Sequence, residues 1–467
     1  MNALRLAVLL GVLLLAAPFG AANAQPVAVP DTYGGDWLSR PKLTGSWGGF
    51  RDEMAKRGVV VDVDFYQVLQ GVADGGQKTG FDYGGHVDYT LNFDSGKAGL
   101  WPGGFLKFHA DTIYGTNVNK EAGALQAPNT LSLLPVAVDG GAETTVTNLT
   151  VMQFLSTWFG VFAGKIETLA GDENDFAHSY RDQFMNTGFA FNLTNALVPI
   201  SSLGGGIVLV PAEWALITAM VLDPTGKPEN SGFGDFFQHG VTVASEGRVT
   251  IKPFGLLGHQ TVGFTWSNEE RTSLIQNPGN LFNALLHQKF PRFRDPGPIL
   301  RRILERRFPT LLQPVSPLNT ESNTWNIYYN FDQFVWSPKG DPTRGIGPFF
   351  RFGVSDGDAN PVKYHYNVGI GGKGVVPGRP HDQFGVGWSR MELSDNLVPF
   401  LRNALNLGLQ REDVVEAYYN AALTGWLNAT LDFQWIDPAL KKTLTSNDRL
   451  KDVSPAFVLG ARLGVKF

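Results

Sequence analysis

Along several stretches of the chain, apolar and polar positions alternate one by one. From Val59 to Phe65, Val59, Val61, Val63 and Phe65 fall on one side, and Val60, Asp62 and Asp64 on the other. In the next such stretch Val87, Tyr89, Leu91 and Phe93 oppose His86, Asp88, Thr90, Asn92 and Asp94. Later, Trp325, Ile327, Tyr329 and Phe331 oppose Asn326, Tyr328, Asn330 and Asp332, and Leu427, Ala429, Leu431, Phe433 and Trp435 oppose Asn428, Thr430, Asp432 and Gln434. Successive side chains of a strand point to opposite sides, so a period of two predicts strands with one greasy and one watery face. Strands are predicted near residues 59, 86, 104, 149, 159, 185, 214, 240, 260, 323, 346, 363, 383, 415, 427 and 456.

A soluble sandwich has the same alternation with its greasy faces inward. The connections argue for a membrane barrel instead. About sixteen strands is an even number, as bacterial outer-membrane barrels have. Long connections are predicted at 69–85, 113–148, 168–184, 223–239, 269–322, 391–414 and 437–455, with mostly shorter ones between. Short turns at one end and long loops at the other are the asymmetry of such barrels. Two connections break the pattern: 193–213 is long for a short-turn side, and the one after the eleventh strand is short. In the last strand Phe457, Leu459, Ala461, Leu463, Val465 and Phe467 share one face, and a terminal aromatic there is similar to the assembly signal of outer-membrane barrels. The fold class predicted is all-β: a transmembrane antiparallel up-and-down β-barrel of about 16 strands, with a short N-terminal periplasmic helix and long extracellular loops.

Arg5, the apolar run Leu6 to Ala17 and Ala22-Asn23-Ala24 read as the basic flank, core and cleavage site of a secretory leader. The run is too short to span a bilayer, which takes roughly 20 residues. The predicted division is a leader over 1–24, a periplasmic segment with a short helix over 25–58 and the barrel over 59–467. No linker or low-complexity tract breaks the 467 residues into soluble domains. The absence of cysteine excludes a disulfide scaffold and thiolate metal ligands. The formal charge of -5, or -6 once Arg5 leaves with the leader, gives no reason to expect nucleic acid. Gly369 to Gly374 superficially resembles a phosphate loop, but it lacks the following Ser or Thr and leads into no helix, so it reads as a strand end and turn. The eight histidines show no close helical pairing, and neither cofactor nor metal is expected.

Several blocks resemble the carbohydrate-selective porin family (OprB type). Leu43-Thr44-Gly45-Ser46-Trp47-Gly48-Gly49-Phe50-Arg51-Asp52 is close to that family's opening. Gly164 to Leu169, Phe176-Ala177-His178 and Gln183 to Thr187 resemble its GK-TL and QFMN region, and Arg379 to Trp388 resembles its RP-D-FGVG strand. The resemblance implies a passive, sugar-preferring pore in a Gram-negative outer membrane and not an enzyme. It implies sugars as solutes, contact with outer-membrane lipids and lipopolysaccharide, delivery by the barrel-assembly machinery, and a monomer or homotrimer.

Sugars offer hydroxyls for hydrogen bonds and C–H faces for stacking, so a lumen that recognises them needs spaced charged or amide groups near aromatic rings. By alternation the inward set includes Asp62, Asp64, Asp88, Lys107, His109, Asp111, Lys165, Glu167, Asn326, Tyr328, Arg351, Asn367, Asn428, Asp432 and Arg462. Lys165 and Glu167 stand out because they lie in a matched block, and Arg351 because it faces inward between Phe350 and Phe352. The connection 269–322 carries Arg292, Arg294, Arg301 and Arg302 among eight basic residues. It reads as an extracellular cap pairing with lipid phosphates, or as a constriction with a positive field. In the second case the pore would suit other small solutes such as organic anions. A barrel-wall hydrolase is the third reading, and no Ser/His or Asp/His constellation supports it.

Overall fold

The computed structural model describes residues 29–133, 140–277, 280, 301–302, 305–306, 317–397, 399, 402, 406–444 and 450–467. The predicted leader and the candidates Arg292 and Arg294 lie outside the described residues. Sixteen antiparallel strands close into one barrel. In chain order they are β1 (Val59–Gly76), β2 (Gly80–Asp94), β3 (Gly104–Gly115), β4 (Ala142–Phe154), β5 (Phe159–Glu167), β6 (Ser201–Ala212), β7 (Ala215–Leu222) and β8 (Thr242–Ile251). They continue with β9 (Gly258–Ser267), β10 (Thr324–Gln333), β11 (Gly345–Ser355), β12 (Val362–Lys373), β13 (Gln383–Leu393), β14 (Arg411–Ala422), β15 (Leu427–Asp437) and β16 (Ser454–Lys466). Each strand pairs with its sequence neighbour, and β16 returns to β1 through Asp64 opposite Lys466 and Leu69 opposite Ala461. Closure removes the unpaired edges that hydrocarbon would not tolerate.

The alternation sorts as predicted. Leu69, Val151, Val262, Val386, Leu431 and Leu459 stand exposed on the outer face, while His86, Asp88, Asn330, Asn367, Glu416, Thr430 and Arg462 are buried inside. The turns at one end, 95–103, 155–158, 213–214, 252–257, 334–344, 374–382 and 423–426, are short. Exposed Trp101, Trp158, Trp214, Phe254 and Trp336 ring that end, where amphipathic rings suit a membrane–water boundary.

Three predictions about the connections are corrected. No strand runs near 185. That segment lies inside the lumen, where Phe184, Met185, Phe189 and Ala190 are buried by packing and not by lipid, and the sixth strand is Ser201–Ala212. The apparent long turn at 193–213 therefore dissolves into the end of an inward loop, strand β6 and a turn at 213–214. The predicted loop 69–85 is a tall hairpin instead, because β1 and β2 run for 18 and 15 residues, well past the 9–11 needed to cross a bilayer.

Before β1, helix α1 (Phe50–Lys56) carries Asp52 and Glu53 in its first turn and Lys56 in its last, each sign matching the helix dipole. It is followed by Gly58 at φ +79°, where a Cβ would come 2.5 Å from the Asp94 carbonyl oxygen, so only glycine fits between helix and wall. This segment clasps the barrel seam. The Leu43 amide donates to the Lys466 carbonyl at 2.7 Å, and Arg51 reaches the carbonyl oxygens of Phe467 and Val61 and the carboxylate of Asp62, all at 2.9 Å. The Arg51 guanidinium lies over the rings of Tyr33 and Trp47.

Candidate functional site

Two segments at the long-loop end, 116–133 and 168–200, turn inward and occupy part of the lumen. The wall that receives the second is built from glycines. Inward positions Gly353 on β11, Gly369 and Gly371 on β12, and Gly385 and Gly387 on β13 leave the sheet backbone bare. A Cβ at Gly371 would lie 2.5 Å from Phe176, one at Gly385 2.7 Å from Phe184, and one at Gly387 2.5 Å from Phe189. The loop's rings therefore pack directly on the backbone. Phe184 stacks on Phe189 at 4.4 Å between centroids and meets Tyr418 and Phe349 edge-on at 4.7 and 5.5 Å, geometries that aromatic quadrupoles favour. Two of the sequence blocks, the one around Gln183–Thr187 and the one around Arg379–Trp388, are thus two halves of one contact.

Polar pins hold the same loop. Arg351, completely buried, donates from Nε to the Asp172 carboxylate at 2.9 Å and from its other nitrogens to the carbonyls of Phe189 and Asp172 at 3.0 and 2.8 Å. Burial pushes the Asp172 carboxyl above its ordinary value even with Arg351 beside it. Arg462 donates to the carbonyls of Tyr180 and Gln183, both at 2.8 Å. The Glu416 carboxylate accepts from the amides of Met185 and Asn186 at 2.5 and 3.1 Å. Glu412 does the same for Leu125 and Gln126 of the first loop.

The predicted inward residues separate into three kinds. Asp62 and Asp64 are taken up by the N-terminal segment, with Lys42 at 2.8 and 3.0 Å. Arg351, Arg462, Asp88, Asp111, Asn326 and Tyr328 are buried. Their side chains hold loops or neighbours, such as the Tyr328 hydroxyl donating to Glu246 at 2.6 Å, and Arg351 in particular is sealed from any solute. Lys165, Glu167 and Lys107 keep solvent access. Lys165 donates to the carbonyls of Pro228 and Asn230 at 2.9 and 2.6 Å, Glu167 accepts from His109 at 2.9 Å, and Lys107 is exposed on β3. Arg301 and Arg302 are helical and exposed, in a connection most of which lies outside the described residues.

Sequence reasoning missed the loop's own charged rim. Arg181 holds the Asp88 carboxylate with two bonds of 2.6 Å, Glu173 pairs with Arg248 of β8, and Asp175 pairs with Lys373 of β12 at 3.0 Å. All but Asp88 are partly exposed or exposed. It also missed a cluster on β2 and β3. The register sets Asp88 opposite Asp111 and Thr90 opposite His109, so His86-Val87-Asp88 and His109-Ala110-Asp111 bring two histidines and two aspartates together. Two H-x-D triplets on adjacent strands were the signal that could have found it.

A closed sixteen-stranded barrel with an apolar outer face, an aromatic girdle and a polar lumen narrowed by an inward loop is an outer-membrane diffusion channel. The chain belongs to the carbohydrate-selective porins, the OprB family, whose family model matches residues 78–467. It is 30% identical to Porin B of Pseudomonas aeruginosa over 117 residues, 22% of this chain and 26% of that protein, so the matched stretch spans about a quarter of that relative. The high-pH structure of Pseudomonas putida OprB superposes with a TM-score of 0.72 at 19% identity, over 92% of this chain and 99% of that one. The low-pH structure of the same protein gives 0.54 at 16% identity over the same shares.

Proposed function

We propose that the chain passes small carbohydrates down their gradient across the outer membrane, and that selection occurs where the loop 168–200 narrows the lumen. The observation that carries this is the rim itself. Among the described residues Arg181, Arg248 and Lys373 pair with Asp88, Glu173 and Asp175, and Lys165 and Glu167 lie on β5, so this zone presents donors and acceptors of both signs. A neutral polyol can exchange its water for such groups one hydroxyl at a time, and weak binding lets it leave again. Lys107, exposed on β3, extends the polar path. In this reading residues 1–24 are the export leader, the short-turn end with its tryptophans faces the periplasm, the long loops meet lipopolysaccharide, and the barrel-assembly machinery inserts the chain.

The test is single-channel conductance in planar bilayers, titrated with glucose and related neutral sugars and separately with small carboxylates. Block by millimolar sugar with weak ion selectivity supports the proposal. Indifference to sugars with strong anion selectivity overturns it and points to the arginine-rich connection.

A further inference from the structure

We propose that His86, Asp88, His109 and Asp111 hold a divalent transition-metal ion of the zinc type in the barrel wall, fastening both inward loops to β2 and β3.

Carboxylates there outnumber the permanent cations. Asp88 and Asp111 face each other across neighbouring strands, where like charges repel, and Glu167 adds a third carboxylate through His109. Arg181 supplies one positive charge, which leaves two negative charges in a site whose four wall side chains are nearly all shielded from water.

The imidazoles are oriented as ligands. His86 Nδ1 faces the Leu131 carbonyl oxygen at 3.0 Å, and a carbonyl only accepts, so this nitrogen carries the proton. His109 Nδ1 likewise faces Glu167 at 2.9 Å. In the neutral ring each Nε2 is then a bare lone pair. Both point at the same two carboxylate oxygens: His86 Nε2 lies 3.1 Å from Asp88 Oδ1 and 3.0 Å from Asp111 Oδ1, and His109 Nε2 lies 3.0 and 3.2 Å from them. Facing lone pairs repel unless a metal ion or a second proton on each ring sits among them, and these separations fall only a few tenths of an ångström inside the roughly 3.3–3.6 Å between tetrahedral ligands bonded at about 2.0–2.2 Å to one zinc ion. An imidazole whose second nitrogen donates to a carbonyl or carboxylate is the usual outer shell of such a site. Two further oxygens, Thr145 Oγ1 and Asn148 Oδ1, lie on β4 opposite Asp111 and His109 and are buried without a hydrogen-bond partner. Mixed imidazole and carboxylate donors suit zinc over magnesium or calcium, which favour oxygen alone. The ligand atoms of His86, Asp88 and Asp111 all lie within 4.8 Å of one another, and His109 flanks them through both carboxylates; the other such group among the described residues, Asp175, His259 and Asp332, has Lys373 at 3.0 Å from Asp175 to balance its charge.

The experiment uses the full-length barrel purified in detergent, stripped with a chelator and reloaded with zinc chloride, with magnesium chloride as control. Elemental analysis is expected to find one zinc per chain and no retained magnesium, and cobalt loading is expected to give a visible ligand-field band. His86→Gln is expected to weaken zinc binding by at least about tenfold, while the heat-modifiable gel mobility of a folded barrel persists. Stripped wild-type protein that takes up no zinc or cobalt overturns the proposal and assigns the two positive charges to doubly protonated imidazoles. Equal zinc binding by wild type and His86→Gln overturns it as well. Both readings are independent of the solute the channel carries.

Discussion

Replacing Arg351 with methionine should unseat the inward loop while leaving the barrel closed. Arg351 is wholly buried, and it supplies three of the bonds that tie Asp172 and Phe189 to β11. Methionine fills much of the same space but leaves the Asp172 carboxylate with Asn330 at 2.6 Å and the Asn192 amide at 2.7 Å, and no positive charge. Removing one partner of a buried ion pair costs about 3–5 kcal/mol. With the two surviving bonds the low end applies, about 3 kcal/mol, which lowers the ratio of seated to unseated loop by roughly a hundredfold. The barrel ladders do not pass through this contact, so gel mobility should stay that of a folded barrel. The expected readouts are a larger and noisier single-channel current and faster hydrogen exchange in 172–192. Acidity supplies the sign. The Asp172 carboxyl binds its proton more readily when seated than when free in water, so seating gains as pH falls, and the variant should quieten in acid. Asp172→Asn on top of Arg351→Met should restore much of the seating by removing the stranded charge. A variant whose current noise and exchange rates match wild type at neutral pH would refute the reasoning.

Gly387→Val should act from the wall side: its Cβ would begin 2.5 Å from Phe189, so the ring must move at about 1–3 kcal/mol, seen as a lowered thermal midpoint with sugar block weakened. Lys107→Glu changes an exposed charge and should shift reversal potentials toward cation selectivity without moving the thermal midpoint. At the short-turn end burial works to raise the Asp382 carboxyl, yet bonds from Arg379, Tyr419 and the Ala422 amide outweigh it and hold it below the ordinary carboxylate range. Its contribution is full above the unfolded value and lost as pH falls through the folded one, so Asp382→Asn should cost about 1 kcal/mol near neutrality and flatten the acid limb of a stability profile.

The barrel was legible because each strand wears its environment on alternate residues: Val61 and Val63 could only face oil if Asp62 and Asp64 faced water. The loop was not, because its apolar residues face neither. The segment around 185 reads as a strand, although Phe184 and Phe189 lie against glycine backbone on β13, about 200 residues further on, and Met185 packs with Tyr66, Val68 and Leu131. The true sixth strand was obscured by its own composition, since Ser201-Ser202-Leu203-Gly204-Gly205-Gly206 has little contrast between faces. Arg351 stands out between two phenylalanines, but periodicity cannot tell a side chain open to solute from one sealed beneath a loop, as Arg351 is. The His86 and His109 pairing depended on strand register, which spacing alone does not fix.

The loop's seat has a consequence for how the protein is made. Its anchors are spread around the circumference and far along the chain: Asp88 is 93 residues from Arg181, Arg351 is 179 from Asp172, Glu416 is 231 from Met185 and Arg462 is 282 from Tyr180. Strands β11 to β16 must be in place before the last of these can form, so the constriction cannot mature on a half-built sheet. A nascent barrel passes through a stage that is wider and less discriminating than the finished one, and its permeability barrier is acquired last, when the seam between first and final strands shuts.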